Sequence, residues 1–359
     1  MKKTPSIASR KARHIQAVLS GQAGSGRTNG LERFRFDHEA VPELDFTEVD
    51  SSTVFLGKTL LAPLLISPMT GGCEEAARIN KNLARAAQAR GVGMGVGSQR
   101  AALVHPDLRS TFQVRKAAPD ILLFANLGAV QLNNGMGVRE CVEAVKMIEA
   151  DALFLHLNPL QEVLQDGGDT NFSGLARKIR QVCKQAGVPV FVREVSSGIS
   201  KRTAEILLDA GVSGIDVAGV GGTSWAKVEG ILSKNVRTRV LSSLYADWGF
   251  DVAESLQNVR SVDRQIPLIA SGGIRSGLEA AKCLGLGADL ASIAAGFLQA
   301  AMRGAEAVME EIDVIVEGIR VALFCSGYGS VSALKGCFLE APLLPERETR
   351  KVVPLRKEG

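Results

Sequence analysis

Between residues 60 and 296, short apolar runs alternate with stretches whose apolar residues recur at helical spacing. The runs are Leu60 to Ser67, Val92 to Gly97, Ile121 to Leu127, Ala152 to Asn158, Val188 to Val195, Gly214 to Val220, Pro267 to Gly273 and Leu290 to Gly296. Each is bounded by Gly, Pro, Asn or Ser, and continuous apolar runs of this length read as strands buried on both faces. Between them, Val138, Cys141, Val142, Val145 and Ile148 form one helical stripe, and Ile79, Leu83 and Ala86 repeat the pattern one unit earlier. Eight strand and helix units of this kind predict an α/β protein, a (β/α)8 TIM barrel. A doubly wound open sheet is the alternative. It usually carries a phosphate loop after its first strand, and the first run here continues into Pro-Met-Thr-Gly-Gly (68 to 72), which fits neither common fingerprint.

The flanks read differently. Residues 1–50 are polar and rich in turn formers, an arm laid over the core; 51–340 form the barrel; 341–359 form a C-terminal tail, mobile from Pro342 onward. The stretch from Thr223 to Gln265 is too long for a simple connection, which predicts an insertion after strand six with its own helix or helices. Residues 298 to 335 read as helical closure of the barrel.

Composition narrows the class. At 359 residues, with 46% hydrophobic and 22% charged, the chain can bury a large core, and disorder or coiled coil is excluded. A net charge of +4 argues against a nucleic-acid or membrane partner while leaving room for a local anion site. Cys73, Cys141, Cys183, Cys283, Cys325 and Cys337 form no C-x-x-C pair, so they read as buried thiols in a reducing cytosol. No apolar stretch has the length of a membrane span, and the basic N-terminus leads into no signal-type apolar region, so the expected location is cytoplasmic.

In such a barrel the chemistry sits where the strands end. In the fourth run, period two puts Ala152, Phe154, His156 and Asn158 on one face and Leu153, Leu155 and Leu157 on the other. His156 and Asn158 then point into the mouth, with Gln161 and Glu162 following. A lone histidine is more often a satisfied core residue, but four polar groups at one strand end favour a site. Glu162 has no neighbour at metal-ligand spacing, so it suits Mg2+ shared with a ligand phosphate rather than a structural metal. Ser271-Gly272-Gly273-Ile274-Arg275 and Ala294-Ala295-Gly296 close runs seven and eight, where such barrels bind phosphate. Further polar or flexible ends are Met69-Thr70-Gly71, Ser98-Gln99-Arg100, Asn126, Arg193-Glu194 and Gly221-Gly222-Thr223. Each alone is explained by a turn or cap; together they describe a flavin mononucleotide site.

At these residues the chain resembles the flavin-dependent type 2 isopentenyl-diphosphate isomerases, from about residue 9 to 340. The matching text is Arg-Lys-Ala-Arg-His-Ile (10 to 15), Pro-Met-Thr-Gly-Gly (68 to 72), Gly-Ser-Gln-Arg (97 to 100), Ala-Asn-Leu-Gly (125 to 128), His-Leu-Asn-Pro-Leu-Gln-Glu (156 to 162), Gly-Gly-Thr-Ser-Trp (221 to 225) and Ser-Gly-Gly-Ile-Arg-Ser-Gly (271 to 277). The resemblance implies reduced FMN, Mg2+, NADPH as flavin reductant, and interconversion of isopentenyl and dimethylallyl diphosphate. It also implies a homo-oligomer, tetramer or larger. Carried over, Met69, Thr70, Gly71, Ser98, Asn126, Arg193, Thr223, Gly272, Gly273, Arg275, Ala294 and Ala295 contact FMN. Arg10, Lys11 and Arg100 hold the diphosphate, with Ser98, Gln99, His156 and Asn158 alongside. Gln161 and His156 are the catalytic side chains, Gln161 facing the isoprenoid carbons, and Glu162 binds Mg2+. The family's usual lysine is Arg193 here, and its usual acid before His14 is Arg13. An FMN-dependent 2-hydroxy acid oxidase or dehydrogenase, and a flavin-binding relative without catalysis, are the competing readings.

Overall fold

The computed structural model describes residues 7–336 and 339–340, with side chains from Arg13 to Gly336. Eight parallel strands close into a barrel: β1 (Leu64–Ile66), β2 (Gly93–Gly95), β3 (Leu123–Gly128), β4 (Ala152–Leu157), β5 (Val190–Glu194), β6 (Gly214–Asp216), β7 (Leu268–Ser271) and β8 (Leu290–Ile293). Each of the eight runs holds one strand. Most strands are shorter than their runs because the last residues leave the ladder to build the mouth.

The barrel interior is layered at period two. Leu65, Phe124, Phe154, Phe191, Ile269 and Leu290 fill the lower layer and are fully buried. The Phe124 and Phe154 rings stack at 4.2 Å, and Phe191 meets Phe124 edge-on at 5.4 Å. Gly214 leaves the room this needs, since a Cβ there would lie 2.0 Å from the Phe191 ring. Two residues further along each segment stand Ser67, Asn126, His156, Arg193, Ser271 and Ser292, and Asp216 stands two beyond Gly214. An apolar floor therefore carries a polar layer at the strands' C-terminal ends. On the outer face of β4, Leu153 and Leu155 join Cys141, Ala144 and Val145 of the helix Val138–Ile148, as period two predicts. The hairpin Thr53–Phe55 with Lys58–Leu60 stops the opposite end, Phe55 and Leu60 entering the interior cluster.

Helices cover the barrel, among them Glu74–Arg90 over Ile79, Leu83 and Ala86. The insertion supplies Trp225–Leu232 and Val236–Leu244 before the barrel helix Val252–Val262, whose N-cap Asp251 accepts from Glu254 N in a capping box. Ala295–Arg303 and Ala305–Cys325 close the barrel. The arm is more regular than its turn formers suggested: Ile7–Leu19 is a helix, and Ala17 packs on Val228 of the insertion. The chain then crosses the mouth, where Ser25 N donates to Gly222 O at 2.8 Å. Phe34–Arg35 pairs with Leu339–Glu340. Cys141 and Cys283 are buried, their thiol pKa values pushed up by burial, whereas Cys73, Cys183 and Cys325 are only half-buried, which corrects the expectation of uniformly buried thiols. Cys337 and the tail from Pro342 lie outside the described residues. Among the described residues, no helix is long and apolar enough to cross a membrane.

Candidate active site

Above the polar layer lies a cavity of about 910 Å3. Its walls are the strand ends, and its lid is the arm and the insertion. Met69, Thr70, Ser98, Arg100, Asn126, His156, Asn158, Gln161, Glu162, Arg193, Thr223, Gly272, Gly273, Arg275, Ala294 and Ala295 all line it. These sixteen expected positions come from all eight strand ends, so the barrel alone brings them together.

Two expected contacts do not reach it. Gln99 is fully buried, its Nε2 donating to Ala144 O at 2.8 Å and its Oε1 accepting from Asn126 N at 3.0 Å. It ties two loops together instead of facing a ligand, because a turn cannot aim three consecutive side chains into one space. Gly71 is packed under Phe112, whose ring would be 1.9 Å from a Cβ at that position. The side chains of Arg10 and Lys11 lie outside those described.

One end of the cavity is built for an anion. Gly272 (φ +111°) and Gly273 (φ +77°) turn where an added Cβ would lie 2.1 Å from Gly219 O and 2.2 Å from Gly221 O. Arg275 staples these loops, Nη1 donating to Gly273 O and Nη2 to Gly221 O, each at 2.9 Å. Asn29 of the arm donates to the same Gly273 O at 3.0 Å. After the neighbouring strand β8, the helix Ala295–Arg303 opens with no side-chain cap, and its first residues line the cavity, so its amide groups are available to a phosphate.

The floor holds the charges. Arg193 and Asp216 are neighbours in register on β5 and β6, with Nε 3.4 Å from Oδ2. Burial pushes the Asp216 carboxyl up, while Arg193 and a hydrogen bond from Ser271 pull it back. Glu194 turns away from the cavity to accept from Val195, Ser196 and Ser197 N; burial still raises its pKa to about 7. Asn126 Nδ2 donates to Val96 O at 3.1 Å, so its Oδ1 faces His156 Nδ1 at 2.9 Å and fixes that proton. Thr70 Oγ1, Ser292 Oγ and Asn158 Oδ1 are buried at the cavity with no hydrogen-bond partner among the described residues. Such orphans in a preformed pocket are what a polar, planar ligand such as a flavin would satisfy.

The remaining wall joins three segments. Gln161 Nε2 donates to Glu229 Oε1 at 2.8 Å, Asn158 Nδ2 donates to Gln161 Oε1 at 3.1 Å, and His14 of the arm helix reaches Glu229 at 3.4 Å. Glu162 accepts from Asn158 Nδ2 at 2.9 Å and from Asp169 N at 2.7 Å. Asp169 in turn holds Arg100 Nη1 at 2.7 Å and Gln131 Nε2 at 2.8 Å. No cluster of three or more His, Cys, Asp or Glu side chains suited to a metal occurs among the described residues, so Glu162 offers a single carboxylate. Glu229, Asp169, Gln131, Ser67, Asp216 and Ser292 were not foreseen. The last three could have been found by extending period two from Leu65, Gly214 and Leu290; the others leave no periodic signal.

Known proteins point the same way. The family of FMN-dependent dehydrogenases matches residues 128–341. The isopentenyl-diphosphate delta-isomerase of Nostoc sp. is 52% identical over 328 residues, covering 91% of this chain and 94% of the relative. That of Synechococcus sp. is 51% identical over 331 residues, covering 92% and 95%. Among solved structures, a flavocytochrome b2 variant with pyruvate bound aligns over 96% of this chain and 86% of its own with a TM-score of 0.68; at 17% identity this is a likeness of fold.

Proposed function

This chain belongs to the isopentenyl-diphosphate delta-isomerases, and from that premise we propose how its residues interconvert isopentenyl and dimethylallyl diphosphate. Moving the double bond requires a proton on one carbon and loss of a proton from the neighbour of the other, with no net redox change. When bound and reduced, FMN supplies an electron-rich ring face and an acid/base position for that exchange.

The protein's own part follows from its geometry. Gly272, Gly273 and the start of Ala295–Arg303 hold the flavin phosphate, on loops that Arg275 staples together. Thr70, Asn126 and Ser292 meet the ring edge, and Arg193 supplies the positive charge that favours the anionic reduced ring. Gln161 is held at the isoprenoid carbons by Glu229 and Asn158, which fixes its amide against rotation. His156, with its Nδ1 proton given to Asn126, lies beside the diphosphate. Arg100 and, from the arm, Arg10 and Lys11 neutralise that diphosphate; Glu162 adds one carboxylate to an Mg2+ otherwise bound by phosphate oxygens and water. An arm already docked on the insertion supports the exclusion of water during the proton transfers. The family resemblance further carries NADPH as reductant, a cytoplasmic location and a homo-oligomer, tetramer or larger.

The observation that carries this reading is the polar layer on the phenylalanine floor, beneath a cavity that holds both a phosphate cradle and the Gln161–Glu229 pair. A hydroxy acid oxidase needs a histidine base and an arginine clamp after β7. The chain's four histidines are His14, His38, His105 and His156, none of them there, and Arg275 is committed to loop carbonyls. The test is Gln161→Ala in the FMN-loaded protein. Turnover should fall by about 10²–10⁴-fold while the bound-flavin spectrum is retained; unchanged turnover would refute the assignment of Gln161.

A further inference from the structure

Asp216 is a fully buried carboxylate that does not line the cavity and has no part in the reaction as set out above. Its Oδ1 accepts from Ser271, and its Oδ2 makes no hydrogen bond but lies 3.4 Å from Arg193 Nε. Arg193 donates through Nη2 to Ser67 Oγ at 3.1 Å and through Nε to Glu194 O at 3.4 Å, and its Cζ lies 5.5 Å from the centre of the Phe154 ring. Nη1 has no hydrogen-bond partner among the described residues, and the side chain borders the cavity. The adjacent Glu194 carboxylate is taken up by three backbone amides, so Asp216 is the counter-charge in contact with this guanidinium. A lysine has one nitrogen with which to meet Asp216, Ser67 and the cavity. The planar fork of arginine meets all three at once.

We propose that Asp216 is the positioning residue of Arg193: it anchors the Nε side of the fork so that Nη1 faces the flavin, and its negative charge limits the electrostatic pull of Arg193 on the reduced ring. The proposal rests on the reading that this cavity binds FMN. In a buried pair, removing the acid leaves the guanidinium uncompensated, and its full charge then favours the anionic, reduced form of the ligand.

The experiment is a dye-coupled redox titration of FMN bound to the wild-type protein, Asp216→Asn and Ser271→Ala, with FMN affinity measured by fluorescence quenching. For Asp216→Asn the preference for reduced over oxidised flavin rises by about tenfold, a positive shift of about 30 mV for a two-electron couple. Ser271→Ala keeps both charges but loosens the carboxylate, so it shifts the potential in the same direction by less. A wild-type or more negative potential in folded, FMN-loaded Asp216→Asn overturns the proposal. If Asp216→Asn does not fold, a wild-type or more negative potential in Ser271→Ala overturns it. Failure of the wild-type protein to bind FMN is a different result: it removes the flavin reading on which the proposal stands.

Discussion

Replacing Gly273 by alanine tests the phosphate cradle at its tightest point. The residue sits at φ +77°, where a side chain costs about 1–2 kcal/mol in backbone conformation. The new Cβ would stand 2.2 Å from Gly221 O, roughly an ångström inside normal contact, and a backbone carbonyl cannot rotate away. Overpacking of this kind costs about 1–3 kcal/mol. Arg275 pins both Gly273 and Gly221 through their carbonyls, so relief of the clash must spread the two loops proposed to hold the phosphate. If 2–4 kcal/mol of this falls on binding, FMN affinity drops by about 30–1,000-fold. Fluorescence titration of the apo-protein with FMN measures that loss, and thermal melts of the same samples report the part absorbed by the fold. A folded Gly273→Ala protein that binds FMN within twofold of wild type would refute the reasoning.

Other outcomes follow from the same geometry. Glu162→Gln removes the carboxylate proposed to bind Mg2+. The Mg2+ concentration for half-maximal turnover should rise by at least about 10-fold, the scale of losing even an outer partner of a metal, while FMN binding stays unchanged; an unaltered Mg2+ curve would exclude Glu162 as the ligand. Glu194, with its pKa raised from 4.5 to about 7, keeps its proton in the folded state through a range where the unfolded chain has lost it. Its contribution to stability is therefore lost as pH rises from about 4.5 to 7, by roughly 3 kcal/mol, and is constant above that. Urea unfolding at pH 5 and pH 8 should show this loss in the wild-type protein and a flatter profile in Glu194→Gln.

The barrel was legible because parallel strands buried on both faces leave continuous apolar runs, and all eight such runs contain a strand. The site was legible where it follows the strands: His156 and Asn158 continue the inward face of β4, and Arg193 continues that of β5. What escaped comes from elsewhere in the chain. Glu229 lies on an insertion helix and becomes part of the site only when Gln161 and His14 reach it from opposite directions. Asp169 acts through its backbone amide on Glu162 as much as through its side chain on Arg100, and no spacing rule encodes a backbone donor. The arm helix Ile7–Leu19 carries most of its apolar residues toward its C-terminal end, where Ala17 and Val18 meet Val228 of the insertion and Ile15 joins the main core, so no sheet-facing stripe announces it. Gln99 shows the opposite failure: a polar residue inside a matching motif, but spent on the loops that hold its neighbours.

The central claim is that a double bond is moved in this cavity with a reduced flavin and no net oxidation. The most direct measurement is anaerobic conversion of isopentenyl diphosphate by the purified protein with FMN, NADPH and Mg2+, each omitted in turn. The account predicts dimethylallyl diphosphate only when the flavin is reduced and Mg2+ is present, with no consumption of NADPH beyond the single reduction of the flavin. Product formed equally well with oxidised or absent flavin, or no product from a protein carrying bound, reduced FMN and Mg2+, would contradict it.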